Sequence, residues 1–323
     1  MTGDRGPEPA PPADPVHALT YRILIGLAPV ARTRAGAGAW EWAWRRFVAD
    51  ATGVTTIRLH GTPTLINVGH PYPAFVRRWP TYNAPLVALV RGVAAARRRP
   101  VGVVDVGASV GDTARLLRSR CGDAVSEIWC VEGDDSFATI LAANIADDPD
   151  VHLVHALASD GAASIPSLVR VHAGTASPQG TTRSASAPLD DLLASARTID
   201  VVKIDTDGYD GSVVAGARGI VADHRPAVQF EWHPRLADAA GVPLELAFEE
   251  LADAGYRHFV WFDKLGHYSH RDDGPRDRSA RADWCRQGDT PAPDWHYDVV
   301  ALPAESGVDV DALATYEARR TPG

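Results

Sequence analysis

The chain has 323 residues, 45% of them hydrophobic and 23% charged, with 32 Lys and Arg against 41 Asp and Glu. It is long enough to bury a full core as one large domain or two ordinary ones, within the composition range of soluble globular proteins. A net charge of −9 argues against a broad nucleic-acid-binding face, which needs clustered cations to displace counterions.

Residues 1–15 are rich in Pro and Ala without periodicity and read as a disordered tail. From His17 to Asp50 the pattern is helical, with Trp40, Trp44 and Phe47 at spacings of four and three on one face. Thr55 to Leu59 and Thr64 to Val68 alternate as strands around His60-Gly61-Thr62-Pro63, a hairpin. Thr81 to Ala96 reads as a helix, and the basic run Arg97 to Arg99 suits its dipole without any phosphate. Strand then alternates with helix: Val101–Val106, Gly111–Arg120, Ile128–Val131, and a helix capped by Asp135 or Ser136. Val151–His155 is the third strand. A polar excursion from Ser159 to Ser186 follows, with a short strand at Leu168–Val171. Leu189–Ala196 is a helix, Ile199–Ile204 a buried strand, Ser212–Val221 a helix and Ala227–Phe230 the fifth strand. Leu244–Ala254 is a helix ended by Gly255. Tyr256–Phe262 and Tyr297–Leu302 close the series, joined by a polar segment, Asp263 to Asp294, without an obvious helix.

Cys121, Cys130 and Cys285 show neither disulfide pairing nor metal-ligand spacing, which suits a reducing compartment. No basic-then-apolar leader opens the chain, and the apolar stretch Tyr21–Ala31 is short and carries Arg22, so it cannot span a bilayer. The expectation is a cytoplasmic protein with neither a membrane nor a nucleic-acid partner.

The chemistry concentrates at strand ends. Asp105-Val-Gly107-Ala-Ser109-Val-Gly111 follows the first strand of the alternating series, and Glu132-Gly133-Asp134 ends the second. Glycines there let backbone approach a ligand, and an acid at the second strand end matches the two adjacent hydroxyls of a ribose. The spacing is Gly-x-x-x-Gly rather than the dinucleotide Gly-x-Gly-x-x-Gly, and Asp105 would repel a pyrophosphate. The acid suits a cofactor bearing an ammonium and a sulfonium, S-adenosylmethionine. Asp134 reads as a helix cap rather than a ligand.

Asp205, Asp207 and Asp210 crowd the end of the fourth strand, where ligands of open α/β sheets sit. They repel one another unless a cation joins them: a metal, a substrate ammonium, the sulfonium or Lys203. Alternation puts Lys203 and Asp205 on one face, so a plain ion pair also accounts for the pattern. Glu231 and His233 end the fifth strand, and His233 is a candidate proton acceptor. The late loop carries His267, His270, Trp284 and Trp295 and could form a lid. His60 and His70 carry no assignment.

These motifs, with Leu189-Asp190-Asp191-Leu192, Lys203-Ile-Asp205-Thr-Asp207-Gly208-Tyr209-Asp210, Gly216-Ala217, Pro226 and Glu231, resemble the FkbM-type methyltransferases over residues 65–302. That family has Asn where Ser109 stands and Glu where Asp207 stands. The resemblance implies a class I methyltransferase (Rossmann-like) α/β fold that binds S-adenosylmethionine through Asp105, Gly107 and Glu132. It also implies methylation of sugar or polyketide hydroxyls, and in some members a divalent metal such as magnesium on acids near strands four and five, here Asp205 and Glu231.

The resulting expectation is a seven-stranded, mostly parallel sheet with an antiparallel last strand. It is preceded by a helical and hairpin extension (residues 16–100), spans a catalytic domain (101–303) and ends in a helix or tail (304–323). Asp105, Gly107, Ser109, Gly111, Glu132, Gly133 and Asp205 are the candidate cofactor contacts; His233, Asp205 and Glu231 are the candidate catalytic groups. The acceptor is a hydroxyl on a small natural product or, as the alternative, an aminosugar nitrogen. A nicotinamide oxidoreductase is disfavoured by the missing middle glycine and by Asp105, and a non-catalytic binder of S-adenosylmethionine is the remaining reading.

Overall fold

The computed structural model describes residues 11–161, 164–166, 169–172, 175–177, 183–272, 274–288, 290–291 and 295–316. Of the expected tail, residues 1–10 lie outside the described residues, but 11–13 run along a strand: Ala13 N–H donates to Val54 O at 2.9 Å and Val54 N–H to Pro11 O at 3.0 Å. Asp14 then caps α1 (Pro15–Leu27), its carboxylate accepting from Val16 and His17 N–H. The expected long helix is broken by a 3-10 segment, Ala28–Arg32, with Pro29 at its start, and resumes as α2 (Arg34–Phe47) behind Thr33 as cap. Trp40 and Trp44 stack on the α1 side, where Trp40 Nε1–H bonds Leu24 O. Phe47 instead turns outward and meets Trp42 edge-on.

The hairpin β1 (Val54–Leu59) and β2 (Thr62–Asn67) turns on His60 and Gly61, both at positive φ. A short helix the sequence did not signal, α3 (Tyr72–Arg78), precedes α4 (Ala84–Arg97). At the foot of α4, Arg99 forks onto Asp200 at 2.7 and 2.8 Å, so the basic run serves an ion pair.

The alternating region follows as β3 (Val101–Val106), α5 (Asp112–Cys121), β4 (Val125–Glu132), α6 (Asp135–Ile145) and β5 (Val151–His155). The excursion holds β6 (Leu157–Ser159), β7 (Ser164–Pro166), β8 (Val169–His172), β9 (Thr175–Ser177) and β10 (Arg183–Pro188). Then come α7 (Leu189–Leu192), β11 (Val201–Ile204), α8 (Asp210–Ala215), α9 (Arg218–His224), β12 (Ala227–Trp232), α10 (Pro234–Ala240) and α11 (Leu246–Asp253). The single helix expected over 212–221 is two, parted at Gly216, where an added Cβ would lie 1.8 Å from Ser159 O.

The last part is β13 (Tyr256–Asp263), β14 (Tyr268–Arg271), α12 (Pro275–Gln287), β15 (Tyr297–Pro303) and α13 (Val310–Ala314). Among the described residues the main sheet therefore has eight strands rather than seven, in the order β14-β13-β15-β12-β11-β3-β4-β5. β3, β4, β5, β11 and β12 pair in parallel, while β15 runs antiparallel to both neighbours and β14 adds an antiparallel edge. The reversal of order about β3 opens a crevice beyond the carboxyl ends of β3, β4 and β11. The polar segment before β15 carries α12, and Trp284 packs with the buried Trp295 against the main core. Among the described residues no helix is long and apolar enough to cross a membrane.

Candidate active site

The turn after β3 is held by several backbone hydrogen bonds. Gly107 and Ala108 N–H both donate to Val131 O, at 2.9 and 3.2 Å, and Gly111 N–H to Ala108 O at 2.9 Å. Gly107 has φ 80°, and a Cβ there would lie 1.9 Å from Asp205 O, so only glycine lets this turn touch the end of β11. Gly111 begins α5 at φ 84° against Leu141. Ser109, at φ 49°, is held in the left-handed region, which an L residue adopts only when its surroundings fix it.

What fixes it is Glu132. Its Oε2 accepts Ser109 N–H and its Oε1 accepts Asp134 N–H, both at 2.7 Å. Glu132 is 6% exposed, and burial pushes its carboxyl up to about 7, against the lowering effect of those two N–H donors. Each oxygen keeps lone-pair capacity for a further donor, which is what a pair of ribose hydroxyls supplies. Asp134 caps α6 through Ser136 and Phe137 N–H, so the cap falls one residue before Asp135 and two before Ser136. Gly133 is small for packing: a Cβ there would lie 2.2 Å from Leu157 Cδ2.

Asp105 corrects the sequence reading. It is wholly buried and lies 2.9 Å from Lys203 Nζ, which also reaches Asp205 Oδ2 at 3.4 Å. The paired register of β3 and β11 sets Asp105 directly beside Lys203. Burial alone would lower the Lys203 ammonium, but the carboxylates of Asp105 and Asp205 outweigh it and hold it charged. Asp105 therefore has no surface to offer a cofactor; it anchors Lys203 beneath the crevice. Asp205, with 42% of its side chain exposed, is the acid that faces the opening.

Asp207 and Asp210 part company. Asp210 is buried and structural: its carboxylate accepts Thr206 Oγ1–H at 3.1 Å and Glu231 N–H at 3.1 Å, tying the ends of β11 and β12. Asp207, at φ 51°, is only partly buried. Burial first, then neighbouring carboxylates, push both up to about 7.

His233 accepts Leu236 N–H at Nδ1 (3.4 Å) and is the N-cap of α10, which leaves the ring proton of the neutral form on Nε2. The histidine that meets Glu231 is one the sequence reading did not single out. His296 Nδ1 lies 3.2 Å from Glu231 Oε2, both side chains about nine-tenths buried, and its ring is 5.7 Å from that of His233. Burial first, then the carboxylates of Asp205, Asp210, Asp207 and Asp298, push the Glu231 carboxyl up.

Asp298 stands opposite Glu231 in the β12–β15 register, and burial followed by Asp205 pushes it up to about 7. Burial raises the phenol of Tyr82, from the segment before α4, and the charges of Asp205, Asp298 and Glu231 add to it. A signal for His296 and Asp298 existed. A last strand that runs antiparallel starts at the carboxyl ends of the parallel ones, so His296-Tyr297-Asp298 at the start of an apolar run belongs to the site.

The two acids proposed for a metal are otherwise engaged, Asp205 by Lys203 and Glu231 by His296. Among the described residues no group of three or more His, Cys, Asp or Glu has metal-holding geometry, so the donors present do not fit a divalent ion.

Strand order and turn together define a class I methyltransferase-like α/β fold. Residues 105–258 match the model of the methyltransferase FkbM domain. No curated protein matches the chain. Among solved structures it is similar to the methyltransferase FkbM of Methylobacillus flagellatus KT, with 18% identity and TM-score 0.40, over 63% of this chain and 44% of that one. The match thus spans less than half of that protein. It is also similar to fibrillarin of Aeropyrum pernix solved with natively bound S-adenosyl-L-methionine (14% identity, TM-score 0.39, 78% of this chain and 90% of that one). A third similar structure is a precorrin-6y C5,15-methyltransferase of Geobacter metallireducens GS-15 (13%, TM-score 0.34, 67% and 86%).

Proposed function

We propose that the protein transfers a methyl group from S-adenosylmethionine to a hydroxyl of a small sugar-containing or polyketide natural product in the cytoplasm. In this reading residues 101–303 are the catalytic unit. The observation that carries it is Glu132, whose two oxygens are each held by one backbone N–H beside the Gly107–Gly111 turn. Glu132, Ser109 and the turn would hold the adenosyl ribose, and Asp205 faces the sulfur end. When bound, the cofactor supplies an electrophilic methyl on a positively charged sulfur.

The chain's own part is positioning and proton transfer. With Nδ1 turned to Glu231, Nε2 of His296 is the nitrogen that takes the acceptor's proton, while His233 keeps α10 capped. The negative crevice disfavours phosphate-bearing acceptors, in line with the net charge of −9. One observation favours a second reading, an amine acceptor: Glu231 and Asp298 stand opposite each other in the β12–β15 register, and with Asp205 they add to the raising of the Tyr82 phenol, a setting that suits an ammonium.

The test is transfer of labelled methyl from S-adenosylmethionine to methyl glucoside, methyl rhamnoside, glucosamine and 2-deoxystreptamine. Label on the hydroxyl-only sugars supports oxygen; label confined to the amines supports nitrogen. Failure to transfer to any acceptor, combined with failure to bind the cofactor, would sink both.

A further inference from the structure

The turn that holds Glu132 is gripped from outside the β3–α5–β4 unit. Val110 is fully buried, and its side chain belongs to a core cluster built mainly from the N-terminal segment, including Tyr21, Leu24, Ile66 and Val68. Its carbonyl accepts Asn144 Nδ2–H at 2.8 Å. The rest of that carboxamide is spent on β2: Nδ2 also donates to Leu65 O at 2.9 Å, and Oδ1 accepts Leu65 N–H at 2.8 Å. Asn144 is 4% exposed, so these bonds are made away from water, where each is hard to replace.

A second contact comes from the end of the hairpin. His70 is buried, its carbonyl bonded by Tyr21 OH at 2.8 Å. Its Nδ1 accepts Tyr72 N–H at 3.3 Å, which places the ring proton on Nε2, 3.5 Å from Ser109 Oγ. Ser109 is the residue held at φ 49°, and its N–H is the one bound to Glu132.

We propose that Asn144 and His70 are positioning residues for cofactor binding, through which the N-terminal segment sets the shape of the Ser109–Val110 turn. This rests on the reading of Glu132 and its turn as the S-adenosylmethionine site. Neither residue needs to touch the cofactor. Releasing either lets the strained turn relax and draws Ser109 N–H away from Glu132.

The test is calorimetric titration of the full chain with S-adenosylhomocysteine, alongside melting temperatures. Asn144→Asp keeps the acceptor for Leu65 N–H but turns a carboxylate toward the carbonyls of Leu65 and Val110. It and His70→Ala are expected to weaken binding about tenfold or more, the scale of one lost hydrogen bond. His70→Gln, which keeps an N–H donor, recovers most of that loss. Leu251→Ala, a buried change on α11, lowers the melting temperature without changing affinity, which separates positioning from plain destabilisation. Wild-type affinity in both Asn144→Asp and His70→Ala would overturn the proposal, as would an equal loss in Leu251→Ala. No binding by the unaltered chain would overturn the cofactor reading, and this inference with it.

Discussion

The crevice is costly to keep ionised, and Glu132 allows the cost to be worked out. Its carboxyl is raised from 4.5 to about 7, first by burial. At about 1.4 kcal/mol per pKa unit, ionising it in the fold is disfavoured by about 3 kcal/mol relative to the unfolded chain. Because the folded value is the higher one, this contribution to stability is full below about pH 4.5, falls as pH rises and is gone above about pH 7. Asp112, Asp207, Asp210 and Asp298 are shifted the same way, each to about 7, and steepen the trend. Glu132→Gln removes one titrating group and leaves the others. Urea unfolding of the ligand-free protein and of Glu132→Gln, from pH 5 to pH 8, reads the difference. The unaltered protein should lose about 2.5 kcal/mol more than the variant over that range. Parallel pH profiles would refute the claim that burial raises the Glu132 carboxyl.

Other consequences follow from particular contacts. His296→Gln should lower kcat on a hydroxyl acceptor on the order of 10²–10⁴-fold with the KM for S-adenosylmethionine little changed, the usual scale of general-base loss. His233→Gln should leave kcat near normal; the reverse pattern would return the proton-acceptor role to His233. Asp134→Ala, which strips the α6 cap, should cost about 1 kcal/mol in urea unfolding; an unchanged midpoint would contradict the capping geometry. Chelation with EDTA should leave the methylation rate unchanged, since Asp205 and Glu231 are already paired; a loss restored by magnesium would contradict the donor analysis.

The parallel strands were legible because each is a short apolar run, closed in all but β5 by a glycine or an acid, and the Gly107 turn and Glu132 came with them. Three features were not. α12 carries its helix on charge rather than on an apolar stripe: Arg278 bridges Glu245 and Asp272, Arg281 pairs with Asp277 and Arg286 with Asp238, so periodicity had nothing to register. The break after Leu27 turns on Pro29 within an otherwise helical pattern. Asp105 and His233 occupy expected positions at strand ends, yet one is sealed against Lys203 and the other caps α10. Residue type and spacing located the strand ends; which side chains face the crevice depends on partners such as Lys203 and His296, which lie far away in the sequence.

The most direct test of the central claim is calorimetric titration with S-adenosylmethionine, and with NAD for comparison, of the unaltered protein and of Glu132→Ala. The account predicts binding of S-adenosylmethionine, no binding of NAD, and loss of S-adenosylmethionine affinity in Glu132→Ala. Binding of NAD without S-adenosylmethionine, or equal S-adenosylmethionine affinity in both proteins, would contradict it.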